Sequence, residues 1–156
     1  MAVAAEVRGP GMGRIRLQRV PNASGASLVG FVRNAMAPRT VVITDGWTAY
    51  PGLIHHGYVH RPRTMSGSGQ TASTLLPRVH RGAALLKRWL LGTHQGRVSR
   101  EHLDASLDEF TFRFNRRLSR HRGTLFYRRV QQAVAIDPVP YRTLRAHKRV
   151  KVASSA

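Results

Sequence analysis

Thr40-Val41-Val42-Ile43-Thr44-Asp45-Gly46-Trp47 is the stretch on which the fold turns. Its first five residues form a short apolar run rich in β-branched side chains, which reads as a buried strand ending at Asp45. Upstream, Leu28, Phe31, Val32, Ala35 and Met36 recur at three-and-four spacing, so a helix precedes this strand. Ser24 or Ser27 can cap it and Pro38 stops it. Further upstream, Val3 to Arg8 and Arg14 to Val20 read as two strands, the second alternating Ile15 and Leu17 with Arg14, Arg16 and Gln18. The glycines from Gly9 to Gly13 resemble a phosphate-cradling loop, but such a loop must open a helix, and here a strand follows. They read as a hairpin connection. Strand, helix and strand in succession imply a right-handed crossover and a partly parallel sheet.

Downstream of Asp45 the pattern predicts a short helix over Tyr50 to His55, an extended Tyr58 to Pro62, and a polar loop at Ser66 to Gln70. A helix is expected from Pro77 to Leu91, with Val79, Ala83, Leu86 and Leu90 on one face, Arg81 and Arg88 opposite, and Gly92 at its exit. Another begins after Ser99 and carries a stripe of Leu103, Leu107, Phe110 and Phe114. A last one near Leu125 to Ala135 ends before Pro138 and Pro140. Two segments are expected: a folded one over 1–142 and a basic tail over 143–156.

The chain has 156 residues, with 26 Lys plus Arg against 7 Asp plus Glu, a formal charge of +19. With 42% of residues hydrophobic it can bury a core, so these charges decorate something folded. A polyanionic partner is implied, and nucleic acid is the commonest. The absence of cysteine excludes disulfides, a zinc ribbon or a thiolate nucleophile. No apolar window reaches the roughly 18 residues of a membrane span, so a cytoplasmic protein is expected. Eight histidines include His56 and His60 four apart, but Pro51, Gly52 and Gly57 argue against the continuous helix that would make them a metal pair.

So few acids can be weighed one by one. Asp45 stands where an open α/β sheet presents ligand groups, and Gly46 lets the backbone turn behind it. It is either a metal-holding carboxylate or an Asp that opens a turn. Glu6 reads as an exposed strand residue, and Asp137 as loop punctuation before Pro138. Glu101, Asp104 and Asp108 fall on the solvent side of the third helix. Glu109 precedes Arg113 by one helical turn, the favourable order for an ion pair. On the same helix Arg113, Arg116, Arg117 and Arg120 cluster a quarter-turn from the apolar stripe. With Lys87 and Arg88 nearby they suit a phosphate backbone, the alternative being a solvated basic face. Phe112 points off the stripe, to pack or to stack on a base.

Three segments together resemble one family: Thr44-Asp45-Gly46-Trp47-Thr48-Ala49-Tyr50, the run from Leu86 to Gly96, and the run from Leu107 to Arg117. They are similar to the ISXO-like insertion-sequence transposases, and Gly13 to Leu17 and Phe126 to Tyr141 fit the same group. The resemblance implies an α/β, ribonuclease-H-like mixed sheet followed by a helical C-terminal half, with DDE-type metal-dependent DNA cleavage and strand transfer. It implies DNA and another transposase copy as partners, with no membrane and no small-molecule substrate. By resemblance Asp45 matches the second catalytic acid and a ligand of Mg²⁺ or Mn²⁺. His80 falls where the third catalytic residue is expected, as a ligand or as a group that orients water. The first strand with its Asp, and the DNA-recognition segments usual in the family, have no counterpart here, so a truncated and inactive copy is expected. The other reading is a non-catalytic basic nucleic-acid-binding protein.

Overall fold

The computed structural model describes residues 1–64, 71–96, 98–138 and 140. The chain divides into two compact units, Met1–Asn115 and Arg116–Ala156. In the first, β1 (Ala2–Arg8) and β2 (Gly11–Gln18) form an antiparallel hairpin. Helix α1 (Gly25–Ala35) follows, capped by Ser24, whose hydroxyl accepts from the Ser27 N–H. The Asn22 carboxamide oxygen in turn accepts from the Ser24 and Ser27 hydroxyls, so both expected cap residues are engaged. Strand β3 (Val41–Thr44), a 3₁₀ turn over Pro51–His56 and strand β4 (Val59–Pro62) make a parallel pair. Helices α2 (Ala72–Leu75), α3 (Pro77–His94) and α4 (Arg100–Asn115) complete the unit.

Among the described residues the single mixed sheet expected from the sequence is not what forms. Two separate two-stranded sheets are present, β1 with β2 and β3 with β4. The crossover that yields parallel strands is the short one from β3 to β4, not the passage through α1. Among the described residues no backbone hydrogen bond joins β1 to β3. They share a core all the same: Ala2 of β1, Val42 of β3, Leu53, Tyr58 and four residues of α1 form one buried cluster.

A second cluster joins Ile15 of β2, Leu86 of α3, and Leu107, Phe110 and Phe114 of α4. Ile15, Leu86 and Leu107 are almost fully buried, and each contributes about 1.5–3 kcal/mol by leaving water. Period-two alternation in β2 and the three-and-four stripe in α4 place these residues as the sequence implied. Two helix ends differ. Helix α3 runs through Gly92 and stops at Gln95, which takes the left-handed conformation that ends a helix, followed by Gly96 in the same region. Helix α4 stops at Asn115, so Arg116, Arg117 and Arg120 lie beyond it and do not continue its face.

The second unit contains α5 (Arg122–Val134), whose Phe126, Tyr127, Val130 and Val134 are exposed. The expected polar loop at Ser66 to Gln70 and the basic tail over 143–156 lie outside the described residues.

Candidate active site and nucleic-acid surface

Strand β3 delivers Asp45 to the carboxyl end of the parallel pair. The chain then reverses through Gly46 at φ 80°, a conformation costly for any residue with a Cβ, and Thr64 packs directly against the glycine. The Asp45 carboxylate accepts the Trp47 N–H at 3.2 Å, and the Trp47 indole N–H donates to the Ala23 carbonyl at 3.2 Å. Asp45 therefore does open a turn, as its position suggested, and that turn is anchored to the start of α1.

Beside it, the buried Thr44 hydroxyl shares a 2.9 Å hydrogen bond with His60 Nε2 and accepts the Gly46 N–H at 3.3 Å. The Tyr50 ring lies 6.1 Å from that of His60. Burial pushes the Tyr50 phenol above its ordinary pKa, and the nearby Asp45 charge adds to the rise. His60 and Tyr50 are the neighbours that reading the sequence missed. Only the register of β4 on β3 brings His60 to Thr44, because Val42 pairs with His60 and Thr44 with Pro62.

His80 lies on the exposed first turn of α3, a helix that packs on β1 and β2, and no hydrogen bond joins it to Asp45. Among the described residues no group of three or more His, Asp or Glu is placed to hold a metal ion. A lone carboxylate with polar hydroxyl and imidazole neighbours does not fit a two-metal centre, which requires several anionic oxygens.

Three of the other acids, Glu6, Asp104 and Glu109, are engaged by the scaffold. At a register shift in β1 the Glu6 carboxylate folds across Gly13 and accepts the Arg14 N–H at 2.8 Å. Asp104, expected to be solvated, bridges Arg19 at 3.2 Å. Burial followed by the Asp104 charge raises the pKa of Asp108. Glu109 pairs with Arg113 at 2.7 Å, the ion pair implied by their spacing. Lys87, Arg88, Arg113, Arg117 and Arg120 are exposed, whereas Arg116 and Phe112 are half-buried.

Two polar clamps were not foreseen. Arg78 donates from Nε to the Gly11 carbonyl and from Nη2 to the Gly9 carbonyl, both at 2.8 Å, pinning the hairpin turn to α3. Asn115 receives the Ile15 N–H at 2.7 Å and donates to the Ile15 carbonyl at 3.0 Å. No sequence pattern announces either, since each joins residues distant along the chain.

Among known families, the model described as an ISXO2-like transposase domain matches residues 1–115. No curated protein and no solved structure matches the chain.

Proposed function

Because the chain belongs to the ISXO2-like transposase domain family, we propose that it is a DNA transposase catalytic-domain protein of an insertion sequence that binds DNA but does not cut it unaided. The carrying observation is Asp45 at the carboxyl end of β3, held by the Gly46 turn and its bond to the Trp47 N–H. That is where a family acid able to hold Mg²⁺ or Mn²⁺ belongs. Such a cation would supply positive charge to the phosphoryl oxygens. Among the described residues Asp45 is the one carboxylate at that strand end, and two-metal transfer needs carboxylates from separate elements. His80 is the candidate for a third position, as a ligand or as a water-orienting group. The working compartment is the cytoplasm, and no helix among the described residues is long and apolar enough to cross a membrane.

We assign DNA contacts to Lys87, Arg88 and Arg113 in the first unit and, separately, to Arg116, Arg117 and Arg120 in the second. Support comes from the formal +19 and from acids that are already engaged inside the protein, Glu6, Asp104 and Glu109 among them. The same observation favours a second reading, a basic nucleic-acid-binding protein with no chemistry. A supercoiled-plasmid assay in Mg²⁺ or Mn²⁺, with Asp45→Ala in parallel, tests the proposal. We expect no nicking above background from either protein. Metal-dependent nicking that disappears in Asp45→Ala would overturn it and show that other groups complete the site.

A further inference from the structure

Strand β4 and the residue that follows it bring two arginines, Arg61 and Arg63, toward the end of the parallel pair where Asp45 stands. Because β4 runs parallel to β3, both strands end on the same side, and Thr44 pairs with Pro62 as the last register step. Asp45 and Arg63 each stand one residue past that step, and the Arg63 N–H donates to the Thr44 carbonyl at 2.8 Å. Side chains alternate along a strand, so Arg61 lies on the face opposite His60, whose ring meets Thr44 and Tyr50. Arg61 and Arg63 are two residues apart, about 6.6 Å at strand rise, and so lie on one face. Pro62 between them holds φ near its extended value.

Both arginines are exposed. Among the described residues neither has an ion-pair partner, and Asp45, one strand away, is not bridged to either. A guanidinium beside an unbridged carboxylate leaves both groups open to outside ions, the arginines to an anion and Asp45 to a cation.

We infer that Arg61 and Arg63 form a phosphate-contacting track that carries a DNA strand past Asp45. The inference rests on the proposal that the protein binds DNA, and adds two residues to the basic ones assigned above. Two guanidiniums on one strand face can each meet a phosphate oxygen, bidentately where the geometry allows. The contact carries no base sequence, since only phosphates are touched.

Binding of a short random-sequence duplex, measured by fluorescence anisotropy in metal-free buffer from about 50 to 200 mM salt, tests this. The unaltered protein should show a steep linear fall of log affinity with log salt. In Arg61→Gln/Arg63→Gln the slope should become shallower by about two, and in Arg61→Gln alone by about one, while Arg61→Lys/Arg63→Lys should keep most of it. Asp45→Asn should tighten binding severalfold, and that gain should shrink in the Gln pair, because the carboxylate and the guanidiniums act on the same phosphates. Unchanged slopes in the Gln variants with a native circular-dichroism melt, or a gain from Asp45→Asn that is independent of the arginines, would overturn the track and leave DNA binding standing. A flat salt response in the unaltered protein would remove both.

Discussion

The carboxamide of Asn115 does for β2 what a neighbouring strand would do, taking one backbone N–H and returning one donor to the carbonyl of the same residue, Ile15. It joins the last residue of α4 to the centre of the second core cluster, where Ile15 is fully buried. Removing it leaves a donor and an acceptor stranded in a partly buried place, the expensive side of hydrogen-bond energetics. Asn115→Ala should therefore destabilise the first unit by about 1–3 kcal/mol, seen as a lower urea midpoint at unchanged slope. An unaltered midpoint would show that water replaces the bonds at no loss. Asp45 illustrates the opposite case, a residue whose carboxylate accepts from the Trp47 N–H of its own turn and has little scaffold work to do. The sequence singled it out for that reason: it follows the strand at the one place where Gly46 permits a reversal.

Helix α4 was legible in outline because its stripe of Leu107, Phe110 and Phe114 is a local pattern, and all three are buried as the spacing demanded. Its acidic side was legible in part, since Asp108 is exposed as expected but the Asp104 bridge is not a local pattern. Asp104 and Asp108 lie one turn apart, Asp104 bridges Arg19, and Asp108 is left with a raised pKa from burial and from its neighbour's charge. The sign of the pH effect follows. A carboxyl whose folded pKa exceeds its unfolded value binds more protons in the folded state through that window, so stability falls as pH rises from the ordinary carboxylate range through the raised value. Asp108→Asn should flatten that part of the profile and raise the thermal midpoint at neutral pH. Melts recorded across the acid range check it, and a profile as steep in the variant as in the parent would place the effect elsewhere. The end of α4 was also misjudged from sequence, since an arginine run after Asn115 reads equally well as helix or turn. Local propensity could not say that Asn115 would be drawn onto β2.

At the scale of the whole molecule, the arrangement most exposed to failure is one core served by two sheets. Strands β1 and β3 both feed the cluster under α1, yet each keeps an edge without a backbone partner among the described residues. A two-stranded pair is marginal by itself, and an open edge invites another chain. Warmed at moderate concentration, the protein should scatter light before its transition is complete, and Val41→Lys, on the exposed edge strand β3, should delay scattering while shifting stability by no more than about 0.5 kcal/mol. A soluble monomer with a sharp and reversible transition would argue that these edges are already satisfied. Sequence alone determined the types of the longer elements, the two core stripes, the charge that points to a polyanion, and the turn that presents Asp45, because each is written in neighbouring residues through periodicity, capping and glycine conformation. Only the tertiary structure decided that the strands form two sheets instead of one, that His60 stands beside Thr44 and Tyr50 beside His60, that Arg63 ends level with Asp45, and that Arg78 and Asn115 hold the hairpin. Those depend on register and packing between distant segments, where competing pairings differ by a few kcal/mol that no local pattern encodes.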